Sequence, residues 1–157
     1  MDKTNVMRIL DKKRIKYQSY YYGDTSAVSG VEVASALKQN FGQVFKTLVT
    51  VSKSKRNYVF MIPVNEELNL KKAAKSVGEK AISMLPSKEL LPLTGYVHGG
   101  CSPIGMKKQF PVVIDQSAKE FSTIIFSAGK IGYQVEVSVL DLENLLLCRF
   151  ADIVEVK

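Results

Sequence analysis

The segment Gly99-Gly100-Cys101-Ser102-Pro103-Ile104-Gly105 is the least ordinary stretch of the sequence. Two adjacent glycines permit positive φ angles or a close backbone approach, and Pro103 restricts the exit from the loop. Such a loop can aim backbone N–H groups at an anion or at a polarised carbonyl oxygen. A tight turn between strands explains the same residues, and a Walker phosphate loop is excluded because the Gly-Lys-Ser/Thr ending is missing.

Two reactive side chains lie in or near this loop, Cys101 and the single histidine, His98. A catalytic thiol normally needs a neighbouring base, and small buried cysteines are common in protein cores. We therefore expect neither residue to be catalytic. The sequence offers no Ser-His-Asp arrangement, no telling pair of carboxylates and no metal-ligand cluster, so we expect no metal and no cofactor. Chemistry would have to come from positioning and backbone dipoles.

Two further features could contribute to a functional site at the loop. Lys46 interrupts an apolar strand, where a buried ammonium group is costly unless it meets an anion or carbonyl acceptors. A position on the polar face of a half-buried strand explains it equally well. The segment from Ser127 to Gly132 holds two glycines, Gly129 and Gly132, and is typical of a hairpin turn.

These residues must be positioned by a mixture of helices and strands. Hydrophobic periodicity and capping residues predict five helices, at Asn5–Lys13, Val31–Asn40, Leu70–Val77, Ser87–Leu91 and after a capping box at Ser138 and Asp141. Alternating or β-branched runs predict strands at Ile15–Tyr22, Val44–Ser52, Tyr58–Val64, Ala81–Met84, Val112–Asp115, Thr123–Ser127, Tyr133–Val137 and, as an edge strand, Phe150–Val156. The second and third strands should form a hairpin. Without regular βαβ alternation, the pattern favours an α+β sheet or barrel over a Rossmann sheet.

Composition limits the class of protein. A chain of 157 residues with 46% hydrophobic residues predicts one globular domain over residues 1–157. The net charge of +7 favours a polyanionic partner such as nucleic acid, although many soluble proteins are basic. The two cysteines suit a reducing compartment, and neither a signal peptide nor a membrane span is visible, so we expect a cytoplasmic protein without membrane contact.

Six segments follow one another in the order of a known family. They are Gln43-Val44-Phe45-Lys46-Thr47-Leu48, Leu70-Lys71-Lys72-Ala73-Ala74-Lys75, Thr94 to Gly105, Phe110-Pro111-Val112-Val113-Ile114-Asp115, Ser127-Ala128-Gly129-Lys130 and Phe150-Ala151-Asp152-Ile153. Each motif is weak alone, but their joint order covers nearly the whole chain. The sequence thereby resembles the YbaK/EbsC family, relatives of the editing domain inserted in bacterial prolyl-tRNA synthetases.

The resemblance implies an α+β fold with a central mixed, barrel-like sheet flanked by helices. It also implies hydrolytic removal of Cys from mischarged Cys-tRNA(Pro), in trans beside prolyl-tRNA synthetase. In this family the thiol of the substrate itself is thought to attack the ester carbonyl. That suits a sequence without a convincing general base or nucleophile of its own.

The resemblance also implies roles for individual residues. Lys46 would contact the tRNA acceptor end or the aminoacyl group, and Gly99 and Gly100 would donate backbone N–H groups near the ester. The remaining residues would bind substrate or shape the pocket: Thr47 beside Lys46, Ser102 and Pro103 in the loop, Ser127 and Gly129 opposite, and Tyr22 at the end of the first strand. The neighbouring Tyr20 and Tyr21 are alternatives to Tyr22.

Two departures from the family bear on specificity. Gln134 replaces an acidic residue, and the loop Thr25-Ser26-Ala27-Val28-Ser29 is shorter and lacks an expected aromatic residue. A deacylase for Ala or another small amino acid therefore stays open as an alternative. So does a non-catalytic module that binds tRNA or a synthetase.

Overall fold

The computed structural model describes residues 2–156. The α-helices are α1 (Asn5–Lys12), α2 (Gly30–Ala36), α3 (Leu70–Ser76), α4 (Ser87–Thr94) and α5 (Val139–Leu145). The strands are β1 (Tyr17–Tyr21), β2 (Phe45–Ser52), β3 (Asn57–Pro63), β4 (Ile82–Met84), β5 (Val112–Asp115), β6 (Thr123–Ser127), β7 (Tyr133–Ser138) and β8 (Cys148–Ala151). A 3-10 helix spans Gln116–Glu120.

The strands form two sheets that meet at one point. The first sheet is antiparallel with the order β1-β7-β6, and the second has the order β4-β2-β3-β5-β8. In the second sheet β4, β2 and β3 are antiparallel, whereas β5 runs parallel to both β3 and β8. A parallel bridge between Val44 and Ile125 joins the sheets. The structure confirms the α+β class and the mixed sheet, and the sheets are not closed as a barrel.

Three groups of buried side chains fill the spaces on either side of the sheets. The main core contains fully buried residues from α1, β5, β6 and α5, among them Leu10, Ile114, Phe126 and Leu142. A second cluster lies beneath α3 and includes Phe60, Ile62 and Ala73. The third cluster, beneath α2, consists of Ala34, Val44, Val64 and Ile125, with Tyr20 and Phe41 packed against it.

Local capping explains where several helices begin. The side chains of Thr4, Asn69 and Ser138 accept hydrogen bonds from backbone N–H groups three residues ahead, which satisfies donors that a helix start leaves unpaired. The caps at Thr4 and Asn69 and the β2–β3 hairpin confirm the sequence-based predictions. At Ser138 the structure shows the side-chain cap but, among the described residues, not the reciprocal bond of the predicted capping box. A capping box at Ser29 and Glu32 starts α2.

Two predicted boundaries are wrong by four or more residues, whereas the other boundaries differ by three residues or fewer. The helix predicted to reach Asn40 ends at Ala36, because Lys38 adopts a positive φ of 56° and the Gln39 N–H donates back to the Ala34 carbonyl. The last strand ends at Ala151 instead of Val156, although it does lie at the edge of its sheet. Beyond it, only a bridge between Leu68 and Val154 continues the pairing within the described residues.

Candidate functional site

The joint between the two sheets brings Lys46 close to Ser127. Val44 pairs with Ile125 in a parallel bridge, and both side chains belong to the cluster beneath α2. Successive side chains of a strand point to opposite faces, so Lys46 and Ser127, each two residues further on, lie on that same face. Since the bridge is parallel, both residues also lie at the same end of it. Lys46 is half-buried there.

Two further side chains extend this face across the first sheet. Gln134 pairs with Ser127 on one side and with Tyr20 on the other, so the three residues form one row across β6, β7 and β1. Gln134 is 5% exposed. Gln39, which follows α2, covers this row and donates from Nε2 to Gln134 Oε1 at 2.9 Å. We call the group Tyr20, Gln39, Lys46, Ser127 and Gln134 the α2-side site.

A half-buried carboxylate lies beside the α2-side site. Glu136 accepts hydrogen bonds from the Tyr20 hydroxyl and the Thr123 hydroxyl, each at 2.5 Å. The hydrogen bond to Glu136, followed by burial, raises the pKa of Tyr20 to about 12. Tyr20 is therefore a neutral donor at physiological pH, and the charge of Glu136 is held by hydroxyl groups.

The glycine loop reaches this end of the first sheet through the β6–β7 turn. A Cβ atom placed on Gly100 would lie 3.1 Å from the backbone nitrogen of Ile131 and 3.4 Å from the carbonyl carbon of Lys130. Glycine therefore allows the loop and the turn to pack this closely without crowding. Gly99 has a positive φ of 86°, which also favours glycine. The loop is thus fixed against the turn that follows Ser127.

Hydrogen bonds within the loop determine which of its amides can bind a ligand. The Gly100 N–H donates to the Val97 carbonyl at 3.0 Å, so it is already engaged. Within residues 2–156, the N–H groups of Gly99, Cys101 and Ser102 donate to no protein acceptor. Neighbouring amides of this kind can form an anion-binding concavity. The available donors therefore flank Gly100.

The rest of the loop is held by buried side chains. Ser102 is fully buried, and its Oγ accepts from the Ile104 N–H at 3.3 Å. Pro103 is also buried. The Tyr96 hydroxyl donates to the Ile104 carbonyl at 2.5 Å, and Tyr96 also packs where Gly129 lacks a side chain. Ser127 Oγ accepts from the Gly129 N–H at 3.2 Å and so shapes the opposing turn.

Two shallow clefts open at this end of the molecule. One, of about 370 Å³, lies between the end of β1 and the β6–β7 turn; its lining includes Tyr22, Thr25, Ala27, Lys130 and Ile131. The other, of about 430 Å³, lies beside α2 and shares Thr25 and Ala27. The short segment between β1 and α2 therefore separates the clefts. Of the residues proposed from sequence, Tyr22 lines the first cleft.

The structure separates some of the candidate residues. Thr47 points to the face opposite Lys46, towards the main core, and its Oγ1 is buried without a hydrogen-bond partner in the described chain. Cys101 is 8% exposed, and burial raises the pKa of its thiol to about 12. A thiol with such a pKa is inert at neutral pH. His98 is exposed.

Sequence reasoning missed Gln39 and Glu136, and it named Tyr20 only as an alternative to Tyr22. Period-two alternation places Tyr20 on the same face as Tyr22 and could have identified it. No sequence motif marks Gln39 or Glu136. The two residues come close together only because α2 folds over the first sheet.

The described residues form neither a metal-ligand cluster nor a membrane-spanning helix. No three or more His, Cys, Asp and Glu side chains among residues 2–156 are grouped so that they could hold a metal ion. In the same range, every helix is too short or too polar to cross a membrane.

Comparison with known proteins identifies the family. Residues 25–145 match the family described as "Aminoacyl-tRNA editing domain". A protein of Enterococcus faecalis named "Putative Cys-tRNA(Pro)/Cys-tRNA(Cys) deacylase EbsC" is 44% identical over 152 residues, which cover 96% of this chain and 93% of that protein. A proline–tRNA ligase of Shouchella clausii is 30% identical over 102 residues, 65% of this chain but 18% of the ligase.

A solved structure shows the same fold. The crystal structure described as "a putative trans-editing enzyme for prolyl tRNA synthetase" superposes with a TM-score of 0.83 at 23% identity and covers 99% of this chain and 100% of that one. At that identity the likeness establishes the fold alone. The match over residues 25–145, together with the near full-length relative, shows that this chain belongs to the aminoacyl-tRNA editing domain family.

Proposed function

We propose that this protein is an aminoacyl-tRNA deacylase that releases Cys from mischarged Cys-tRNA(Pro). The observation that carries the proposal is the 44% identity to a relative named for that activity. The aligned residues cover 96% of this chain and 93% of the relative. The match to the aminoacyl-tRNA editing domain family supports the reaction class. A tRNA substrate favours the cytoplasm as the compartment.

The geometry suggests how the ester would be held. Lys46, half-buried at the joint of the sheets, would neutralise a phosphate of the acceptor end or polarise the aminoacyl group. The unengaged N–H groups on either side of Gly100 would face the carbonyl oxygen, where negative charge develops when the ester is attacked. The Gly100 N–H itself would shape the loop through Val97.

The nucleophile would come from the substrate. The cysteinyl sulfur would form a bond to its own carbonyl carbon, the bond from that carbon to the ribose oxygen would break, and the ribose oxygen would take up the thiol proton. Water would then open the resulting four-membered thiolactone to free Cys. Protein Cys101 is excluded as the nucleophile by its burial and by its raised pKa.

Recognition of the tRNA body would rest on phosphate contacts. The chain carries a net charge of +7, and Lys71 and Lys75 are exposed on α3. Such contacts position a nucleic acid without reading its sequence. We therefore propose that prolyl-tRNA synthetase acts as partner and supplies specificity, which the partial likeness to a proline–tRNA ligase supports. If this protein, prolyl-tRNA synthetase and tRNA(Pro) fail to co-purify as a complex, that result would count against this partnership.

A deacylation panel tests the proposed activity. Cys-tRNA(Pro), Ala-tRNA(Pro), Ser-tRNA(Pro) and Pro-tRNA(Pro) are incubated with the protein, and the remaining ester is measured over time. We expect rapid loss of Cys and slow loss of Ser, because the hydroxyl group is a poorer nucleophile than the thiol. Hydrolysis of Ala in preference to Cys would instead favour the alternative substrate, and rapid loss of Ser would contradict attack by the substrate thiol.

Replacement of Lys46 separates an enzyme from a binding module. We expect Lys46→Ala to lower kcat/KM by about 100- to 1,000-fold, the usual effect of removing one donor to developing charge. Lys53→Ala is the matched control, since Lys53 is exposed at the opposite end of β2. A folded Lys46→Ala protein with unchanged turnover would refute the role of Lys46.

A further inference from the structure

The α2-side site contains a buried acceptor to which no described residue donates a hydrogen bond. Gln39 Oε1 is buried and has no partner within residues 2–156, although Nε2 of the same side chain donates to Gln134. A buried acceptor left unpaired costs stability. A ligand that donates a hydrogen bond to this oxygen would remove that cost. The acceptor lies where α2 covers the row of Tyr20, Gln134 and Ser127.

A carboxylate that forms no ion pair with any described residue lies beside that acceptor. Glu136 is half-buried on the same face of β7 as Gln134, and within residues 2–156 its two oxygens accept hydrogen bonds only from the hydroxyl groups of Tyr20 and Thr123. The ion pairs formed within the described chain, Lys3 with Asp11 and Lys72 with Asp152, do not include it. In a chain with a net charge of +7, an unpaired carboxylate at this depth makes the surroundings favourable for a cation.

The cationic group and the acceptor groups lie at opposite sides of the site. Lys46 lies at the side of β2, beyond Ser127, whereas Gln39, Gln134 and Glu136 lie over β7, towards β1. An aminoacyl ester has matching polarity, with an anionic phosphate and a carbonyl oxygen at one end and an α-ammonium group close to the carbonyl carbon. The two sets of protein groups would therefore hold this substrate in a single orientation.

We propose that Gln39 Oε1 accepts a hydrogen bond from the α-ammonium group of the aminoacyl ester, and that the Glu136 carboxylate stabilises its charge. Gln134 is a positioning residue, because its hydrogen bond to Gln39 Nε2 fixes the orientation of the amide. This inference rests on the proposed deacylase function and assigns it a subsite for the α-amino group.

The test compares two substrates that differ only in this group. Cys-tRNA(Pro) is compared with 3-mercaptopropionyl-tRNA(Pro), which keeps the thiol and the ester but lacks the amine. Each rate is divided by the uncatalysed hydrolysis rate of that ester, which removes the intrinsic effect of the ammonium group. We expect the wild-type protein to prefer Cys-tRNA(Pro) by roughly 10- to 100-fold in kcat/KM, the range for a hydrogen bond to a charged group.

Three variants show whether this preference depends on the proposed residues. Gln39→Leu and Glu136→Gln should each lower the preference at least about fivefold, because each removes part of the interaction with the charged α-ammonium group. Gln39→Glu should keep or increase it, since a carboxylate also accepts from an ammonium group. The control is Gln116→Leu, at an exposed position of the 3-10 helix, which should leave the preference unchanged.

The outcomes separate this inference from the proposed function. A wild-type protein that hydrolyses both esters equally well, or a Gln39→Leu protein with the full preference, would overturn the α-ammonium subsite and leave the deacylase function standing. A wild-type protein inactive on every charged tRNA would refute the function itself. Thermal unfolding of each variant shows whether a lost preference reflects lost structure.

Discussion

Gly100→Ala tests directly whether the glycine loop is fixed by its contact with the β6–β7 turn. The added Cβ would lie 3.1 Å from the Ile131 nitrogen, which is 0.3 Å inside the 3.4 Å at which ordinary contacts begin. The neighbouring atoms are backbone, so no side chain can rotate away. Overpacking of this kind costs about 1–3 kcal/mol.

This cost predicts a measurable fall in the melting temperature. For a domain of this length, 1 kcal/mol corresponds to about 2–4 °C, so Gly100→Ala should melt about 2–12 °C below the wild-type protein. Displacement of the loop by a few tenths of an ångström should also misalign its amide donors and lower kcat/KM by about tenfold or more, even at temperatures where the variant is fully folded.

Gly42→Ala provides the matched control. Gly42 also has no positive φ, but its added Cβ would meet only side-chain atoms, Asn40 Oδ1 at 3.3 Å and Phe121 Cζ at 3.7 Å. Its stability should change by less than about 1 kcal/mol, because these atoms can move and the unfolded chain loses entropy. A Gly100→Ala protein as stable and as active as Gly42→Ala would refute the reasoning about the loop.

Three further predictions concern single side chains. Cys101→Ala should retain most deacylase activity, and in the native protein iodoacetamide at about pH 8 should modify the half-buried Cys148 before Cys101, whose pKa is raised to about 12 by burial; mass spectrometry of the two sites decides this. Thr47→Val should raise the free energy of unfolding in urea by about 1 kcal/mol, since it removes a buried hydroxyl group that has no hydrogen-bond partner among residues 2–156, and a destabilised variant would contradict this. Tyr20 has a pKa raised to about 12 by its hydrogen bond to Glu136 and by burial, so the stability it contributes is complete below about pH 10 and is lost as the pH rises towards 12. The free energy of unfolding of Tyr20→Phe, measured in urea at several pH values, should therefore fall less steeply across that alkaline range than that of the wild-type protein.

Local patterns in the sequence predicted the elements whose causes are local. Thr4 and Asn69 begin helices because their side chains satisfy N–H groups three residues ahead, and the β2–β3 hairpin follows from two β-branched runs joined by a polar turn. The end of α2 was missed because Lys38 is not a glycine, yet it adopts the left-handed conformation that closes the helix. Capping residues signal where helices start better than where they end.

The candidate site could be predicted only in part. Motif order identified Lys46, Ser127 and the glycine loop, and the structure places these at one end of the first sheet. The availability of each amide could not be derived, because the hydrogen bond from Gly100 to Val97 depends on the three-dimensional turn. The role of Gln39 could not be predicted either, since its contact with Gln134 joins residues that lie far apart in the chain.

The bridge between Val44 and Ile125 makes the two sheets mechanically interdependent. Lys46 belongs to one sheet and Glu136 belongs to the other, so the distance between these two charged residues depends on how the sheets move relative to each other. At this joint the Ile125 N–H donates to the Gln43 carbonyl at 3.0 Å. The hydrogen-exchange rate of that single amide should therefore report how often the two halves of the site separate, and a bound substrate that spans them should slow it.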